Sequence, residues 1–189
     1  PQKRKRVIIV GWDRSRVSNF PENFWEKIKL PTSMPALRSF VTNTMEGAYR
    51  IPERSVPEGF ARWALEVGED AVPIGTPHPY VVLKADANLL SCTKRDSPVH
   101  SEVVDLDSPA KTIICTYGHQ PRLLVGLRKP SGACYVRTLL PDELKQIQGF
   151  PKDYVINGKF NEKITQIGNA VPPPMVEAVA RALLEVRRS

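Results

Sequence analysis

The densest chemistry in the sequence lies at its start, where Gln2-Lys3-Arg4-Lys5-Arg6 places four cations in succession. A guanidinium offers five fixed N–H donors that suit carbonyl and phosphate oxygens, so Arg4 and Arg6 are candidates for steadying an anion or charge developing on a carbonyl. The same run also reads as a solvated charged face or as a nuclear-localisation tract. Near the other end, Gly168-Asn169-Ala170 precedes Pro172-Pro173-Pro174. Gly and Asn both tolerate left-handed backbone, so this segment reads as a turn or binding loop ahead of a proline-started helix. Arg137, just before Asp142 and Glu143, is expected to pair with one of them or to cap a helix, a structural role. Cys92, Cys115 and Cys134 form no Cys-x-x-Cys pair, and with three histidines they show no metal-ligand spacing.

Elements must hold these groups in place. Val7-Ile8-Ile9-Val10-Gly11 is an apolar, β-branched run ended by glycine, which predicts a buried strand of a parallel sheet with the basic residues at the sheet's edge. Between residues 12 and 75 the pattern is broken, and it predicts helices over 21–29 and 59–69 joined by proline-rich connections. Short strands are expected at 80–83, 111–116, 123–127 and 133–136, separated by Pro, Gly and Asp turns, as in a small, mostly β domain. Pro141-Asp142-Glu143 opens a two-turn helix and Gly149 stops it. After the three prolines, Val176, Val179, Ala180, Leu183 and Leu184 recur at helical spacing, so the terminal helix is amphipathic and must pack against something.

With 189 residues, 41% hydrophobic and 25% charged, the chain has the composition of a soluble globular protein with one core or two small ones. Eighteen prolines, crowded between residues 21 and 79 and at 172–174, argue against a helical bundle. A net charge of +7, focused in the first sixteen residues, makes a polyanion the natural partner. The cysteine usage fits a reducing, intracellular setting, and no apolar run reaches membrane-spanning length. The basic start lacks a secretory signal's apolar core, and a chain opening on Pro1 inside a working motif is expected to be a piece of a longer protein.

Three separated segments resemble the DNA cytosine-5 methyltransferase family, in that family's own order. Gln2-Lys3-Arg4-Lys5-Arg6 with its following strand resembles the eighth motif, a Gln-x-Arg-x-Arg leading into a sheet. Arg137-Thr138-Leu139-Leu140-Pro141-Asp142-Glu143, running on to Gln148-Gly149-Phe150-Pro151, resembles the ninth. Gln166-Ile167-Gly168-Asn169-Ala170-Val171-Pro172-Pro173 is similar to the tenth. Between motifs eight and nine the family carries a target-recognition domain, and Pro109-Ala110-Lys111-Thr112-Ile113 resembles its Pro-x-x-Thr-hydrophobic signature. The family's Pro-Cys nucleophile has no match, because the three cysteines follow Ser91, Ile114 and Ala133. A Gly-x-Gly first cofactor loop has none either, and Glu22-Asn23-Phe24 lies on the wrong side of the eighth motif to be its Glu-Asn-Val.

The resemblance implies an α/β fold. Residues 1–15 would supply a strand of a Rossmann-like S-adenosylmethionine-dependent methyltransferase domain, 16–136 the target-recognition domain, 137–159 motif nine and a hinge, and 160–189 motif ten and the return helix. It implies methyl transfer to carbon 5 of a cytosine flipped out of double-stranded DNA, with the nucleophile supplied by a missing amino-terminal half in the same chain or another subunit. Arg6 would donate to the pyrimidine 2-carbonyl, with Arg4 positioning the flipped base. Gly168, Asn169 and Ala170 would close over S-adenosylmethionine. Gln2, Lys3, Arg4, Thr112, Gln120 and Arg122 would contact DNA, since Gln suits adenine and Arg suits guanine in the major groove. No metal and no membrane are expected, and the setting is cytoplasmic for a bacterial or phage protein, nuclear for a eukaryotic one. A non-catalytic DNA-binding module and an RNA-directed cytosine-5 methyltransferase relative stand as alternatives.

Overall fold

The computed structural model describes residues 7–31, 33–77, 83–86, 89–92 and 101–188. Its centre is a mixed sheet. The strands β1 (Tyr49–Arg50), β2 (Ala64–Glu66), β3 (Leu83–Asp86), β4 (Leu89–Cys92), β5 (Glu102–Val103), β6 (Leu123–Arg128) and β7 (Cys134–Thr138) are followed by helices α1 (Pro141–Gln148), α2 (Phe160–Asn169) and α3 (Pro173–Arg188). β6 is the spine: it pairs antiparallel with β7, while β2 and β5 lie parallel along successive parts of its other edge. β1 extends the sheet beyond β7, and β3 and β4 form a separate antiparallel pair.

The reason β6 reads as an unbroken apolar run is that both of its faces are covered. Leu123, Val125 and Leu127 point into the main core with Tyr135 and Leu139, whereas Leu124 points the other way with Cys134, Val136, Ile51 and Phe60. This is the period-two alternation of a strand, with each face given its own apolar layer. The main core also takes in Leu144 and Ile147 of α1 and Ile164 and Ile167 of α2, so both helices pack on the sheet. A third cluster joins Phe24 to Val179, Ala182 and Val186 of α3, with Ile8, Val10 and Phe20 against it.

Several sequence expectations change. Residues 7–11 are not in a strand. Ile8 and Val10 pack on α3 while Val7 and Ile9 are 90% and 89% exposed, so the extended chain buries one face and no neighbouring strand among the described residues covers the other. The helix expected over 59–69 is a 3₁₀ turn at Phe60–Arg62 followed by β2, because Gly59 takes a left-handed φ of 74° and Ala64 onward pairs with β6. The helix over 21–29 shrinks to one 3₁₀ turn, Phe24–Lys27. Residues 111–116 form no strand: Ile113 is fully buried and the backbone lies against α2 instead of along the sheet. The strand expected at 80–83 falls outside the described residues except at Leu83. By contrast β6, β7 and α1 stand where the pattern predicted them, α1 ending at Gly149 with φ of 95°. The helix α2, ten residues of mostly polar side chains around Ile164 and Ile167, had no sequence expectation of its own, and it takes in Gly168 and Asn169, which were expected in a loop.

Candidate functional site

A single irregular segment, residues 110–122, carries three of the expected DNA contacts. Ala110, Ile113 and Tyr117 sink into the core and act as its anchors. The Tyr117 hydroxyl donates to the Leu123 carbonyl at 2.6 Å and accepts from the Leu139 N–H at 2.8 Å, tying the segment to β6 and to the end of β7. Thr112, between the first two anchors, and Gln120 and Arg122, after the last, are exposed. The N–H groups of His119 and Gln120 both donate to the Thr116 carbonyl at 2.9 Å, which fixes the turn bearing Gln120. The approach to the segment is also pinned: Ser108 Oγ and the Asp107 N–H donate to the Asp105 carboxylate at 2.7 and 3.0 Å. Those two bonds favour the charged form and hold the Asp105 pKa below its ordinary value.

The other face of this segment rests on α2. An ideal Cβ at Gly168 would stand 2.5 Å from both Cα and N of Cys115 and 2.8 Å from the Ile114 carbonyl carbon. One turn earlier, Thr165 Oγ1 donates to the Cys115 carbonyl at 3.4 Å. Gly168 and Asn169 thus belong to the last turn of α2 and not to a loop, and Ala170 is its extended C-cap. The cap is held from a second side, by Gln148 Nε2 donating to the Ala170 carbonyl at 2.7 Å, while Asn169 stays exposed. Sequence reasoning missed Gln148. Its signal was a polar residue on the apolar stripe of α1 beside Leu144 and Ile147, where a buried amide must find a partner.

Arg137 has the structural role expected of it. It is fully buried, and all five of its N–H donors are used. Nε donates to the Thr44 carbonyl at 3.1 Å, Nη1 to the Thr138 carbonyl at 2.9 Å and Glu143 Oε2 at 2.8 Å, and Nη2 to the Thr42 carbonyl at 2.6 Å and Glu143 Oε1 at 2.7 Å. Glu143 in turn accepts from the N–H and hydroxyl of Thr42 and from the Leu140 N–H, each at 2.9 Å. The pair therefore staples residues 42–44, β7 and the first turn of α1 into one body.

Gln2, Lys3, Arg4, Lys5 and Arg6 lie outside the described residues, so the structure brings together Gly168 and the segment of Thr112 but places neither with the basic tract. Cys134 is buried in the sheet, and burial pushes its thiol up from the ordinary value, which keeps it protonated and unreactive at neutral pH. No group of three or more metal-ligating side chains occurs among the described residues. No described helix is long and apolar enough to cross a membrane.

The chain belongs to the C-5 cytosine-specific DNA methylase family, whose model matches residues 1–185. It is 22% identical over 189 residues to the type II methyltransferase M1.ScrFI of Lactococcus lactis subsp. cremoris, covering 98% of this chain and 40% of that protein. With the type II methyltransferase M.PspPI of Psychrobacter sp. (strain TA137) it shares 24% identity over 203 residues, 98% of this chain and 43% of the relative. A shorter stretch, 39% of this chain and 17% of the relative, is 37% identical to the type II methyltransferase M.MspI of Moraxella sp.. The chain therefore spans about two fifths of the length of the two relatives that it matches end to end.

Proposed function

We propose that this chain is the carboxy-terminal, DNA-recognising part of an enzyme that transfers the methyl group of S-adenosylmethionine to carbon 5 of cytosine in double-stranded DNA. It acts only with an amino-terminal catalytic half, in the same chain or as a separate subunit. The observation that carries this reading is an apolar surface that none of the described residues covers. Val176, Ala180 and Leu184 recur every fourth residue along the outer face of α3, all exposed, and Val7 and Ile9 are exposed on the extended segment that packs on the same helix. A helix with a second apolar stripe is built to be covered on two sides. The family membership and the share of the relatives left unmatched make the remainder of the methyltransferase domain, a Rossmann-like sheet, the covering element.

On this reading, residues 1–15 and 160–189 complete the catalytic domain, 16–136 form the target-recognition domain and 137–159 join them. Thr112, Gln120 and Arg122 meet the DNA with Gln2, Lys3 and Arg4. Arg6 donates to the 2-carbonyl of the flipped cytosine, where negative charge develops, and Arg4 holds that base in place. For the cofactor, Asn169 offers an exposed carboxamide beside the backbone of Ala170, whose carbonyl Gln148 holds still. A fixed turn with an exposed carboxamide fits the ribose or amino-acid end of S-adenosylmethionine, with Gly168 completing the turn. When bound, that cofactor supplies an electrophilic methyl group. The type II names of the relatives support a restriction-modification role, in the cytoplasm of a bacterial cell.

Labelled S-adenosylmethionine with mixed-sequence DNA tests the reading. The chain alone should leave DNA unlabelled, and adding the amino-terminal half should label cytosine in DNA and not in transfer RNA. In the completed enzyme Arg6→Ala should lower the single-turnover rate far more than DNA affinity, whereas Lys3→Ala should mainly reduce the salt dependence of binding. Cytosine labelling by the chain alone, lost on changing Cys92, Cys115 or Cys134, would overturn the assignment.

A further inference from the structure

Gly168 does more than permit a turn. It is buried inside α2, and the space its side chain would fill is taken by backbone atoms of Ile114 and Cys115. Because those atoms are main chain, no change of rotamer can make room for a methyl group; either the end of α2 or the 110–122 segment has to move. Neither can move alone. The segment is anchored by Ile113 and by both hydrogen bonds of the Tyr117 hydroxyl, and the end of α2 is anchored two residues on by the bond from Gln148 to the Ala170 carbonyl. At the other end of the contact Gly118 meets Asn161, so a glycine stands at each end of the seam.

We infer that Gly168 is a positioning residue that locks the DNA-reading segment and the cofactor-holding turn into one rigid unit, so that the fidelity of sequence reading and the affinity for cofactor are set by the same contact. This rests on the function proposed above. Its consequence is specific: a disturbance at Gly168, which points at the recognition segment, shifts two properties measured at different ligands. A glycine with only a folding role would change neither, because a Michaelis constant and a ratio of rates do not depend on how much enzyme is folded.

The test uses the whole methyltransferase. Bisulfite sequencing first maps the wild-type site. The Michaelis constant for S-adenosylmethionine, and the ratio of kcat/KM on the cognate duplex to that on duplexes with one base pair changed, are then measured for wild type and Gly168→Ala. The substitution should raise the first and lower the second by about tenfold each, as displacement of positioning groups by a fraction of an ångström to an ångström does. Thr165→Val, which removes the hydroxyl's bond across the seam to the Cys115 carbonyl together with its bond to the Asn161 carbonyl within α2, should move both the same way by about twofold, and it carries the test if Gly168→Ala does not fold. Loss of active protein with both quantities unchanged would make Gly168 a folding residue and overturn the inference. A shift in the cofactor constant alone would overturn the coupling. A wild type that methylates no cytosine refutes the functional reading itself, and this inference with it.

Discussion

Arg137 shows how a charge can be buried without being a site. A guanidinium with no exposed surface is tolerated because each of its five N–H groups has an acceptor and its charge faces Glu143 at 2.7 Å. Removing one partner strands the other, so Arg137→Met should cost about 3–5 kcal/mol of stability. Arg137→Met with Glu143→Met should cost less than Arg137→Met alone, since no lone carboxylate remains. Urea midpoints of the three proteins check this; a double variant no more stable than the single one would show that the ordering of Thr42 and Thr44 outweighs the charge. Asp105 sits at the other extreme, exposed, yet its carboxylate gathers the 105–108 turn. Its folded pKa is depressed, so the stability it contributes is present above its ordinary pKa of 3.8 and is lost as pH falls through the lower folded value. Acid titration followed by tryptophan fluorescence should show Asp105→Asn losing less stability than wild type between pH values just above and below that range.

At the scale of elements, glycine at a helix end has two separate jobs here. Gly149 closes α1 with a left-handed φ of 95°, and a Cβ there would stand 2.6 Å from Cδ of Pro174, the second residue of α3. The stop of one helix and the start of another therefore share a contact that the sequence marks only as Gly and Pro. Gly149→Ala pays both for the backbone conformation and for the overlap, and should destabilise by about 1–3 kcal/mol. Thermal melts should separate it from Gly132→Ala, which takes φ of 89° but has nothing within 4 Å and so bears only the conformational part. Equal losses at the two positions would mean that the packing of α1 on α3 adds nothing. The strands β6 and β7 were legible because each is a short, mostly apolar or β-prone run set off by Pro and Gly turn residues; β2 and β5 were not, because strands of three and two residues have no period to read.

For the whole molecule the question is what covers α3. Its inner stripe, Val179, Ala182 and Val186, packs on Phe24 and the extended start, while Val176 and Leu184 remain half exposed. Val176→Lys with Leu184→Lys should make the isolated chain more soluble and less self-associating, with its own fold unchanged, because neither side chain is in a core cluster. Light scattering and circular dichroism read those effects. The same double substitution should abolish complementation by the amino-terminal half proposed above. Full complementation would place that proposed domain on another face.

The sequence by itself determined the family, the α1 helix with its glycine stop, the two longest strands of the sheet and the structural standing of Arg137. These are local patterns, or identities at fixed spacing, and they survive without knowledge of what lies beside them. Tertiary structure alone decided that residues 7–11 bury one face on α3, that 111–116 lie on α2 and not in the sheet, that Gly168 abuts Cys115 and that Gln148 holds Ala170. Each of those depends on residues far apart in the chain meeting at close range. A hydrophobic period says that a face is buried, but only the packed neighbour says against what.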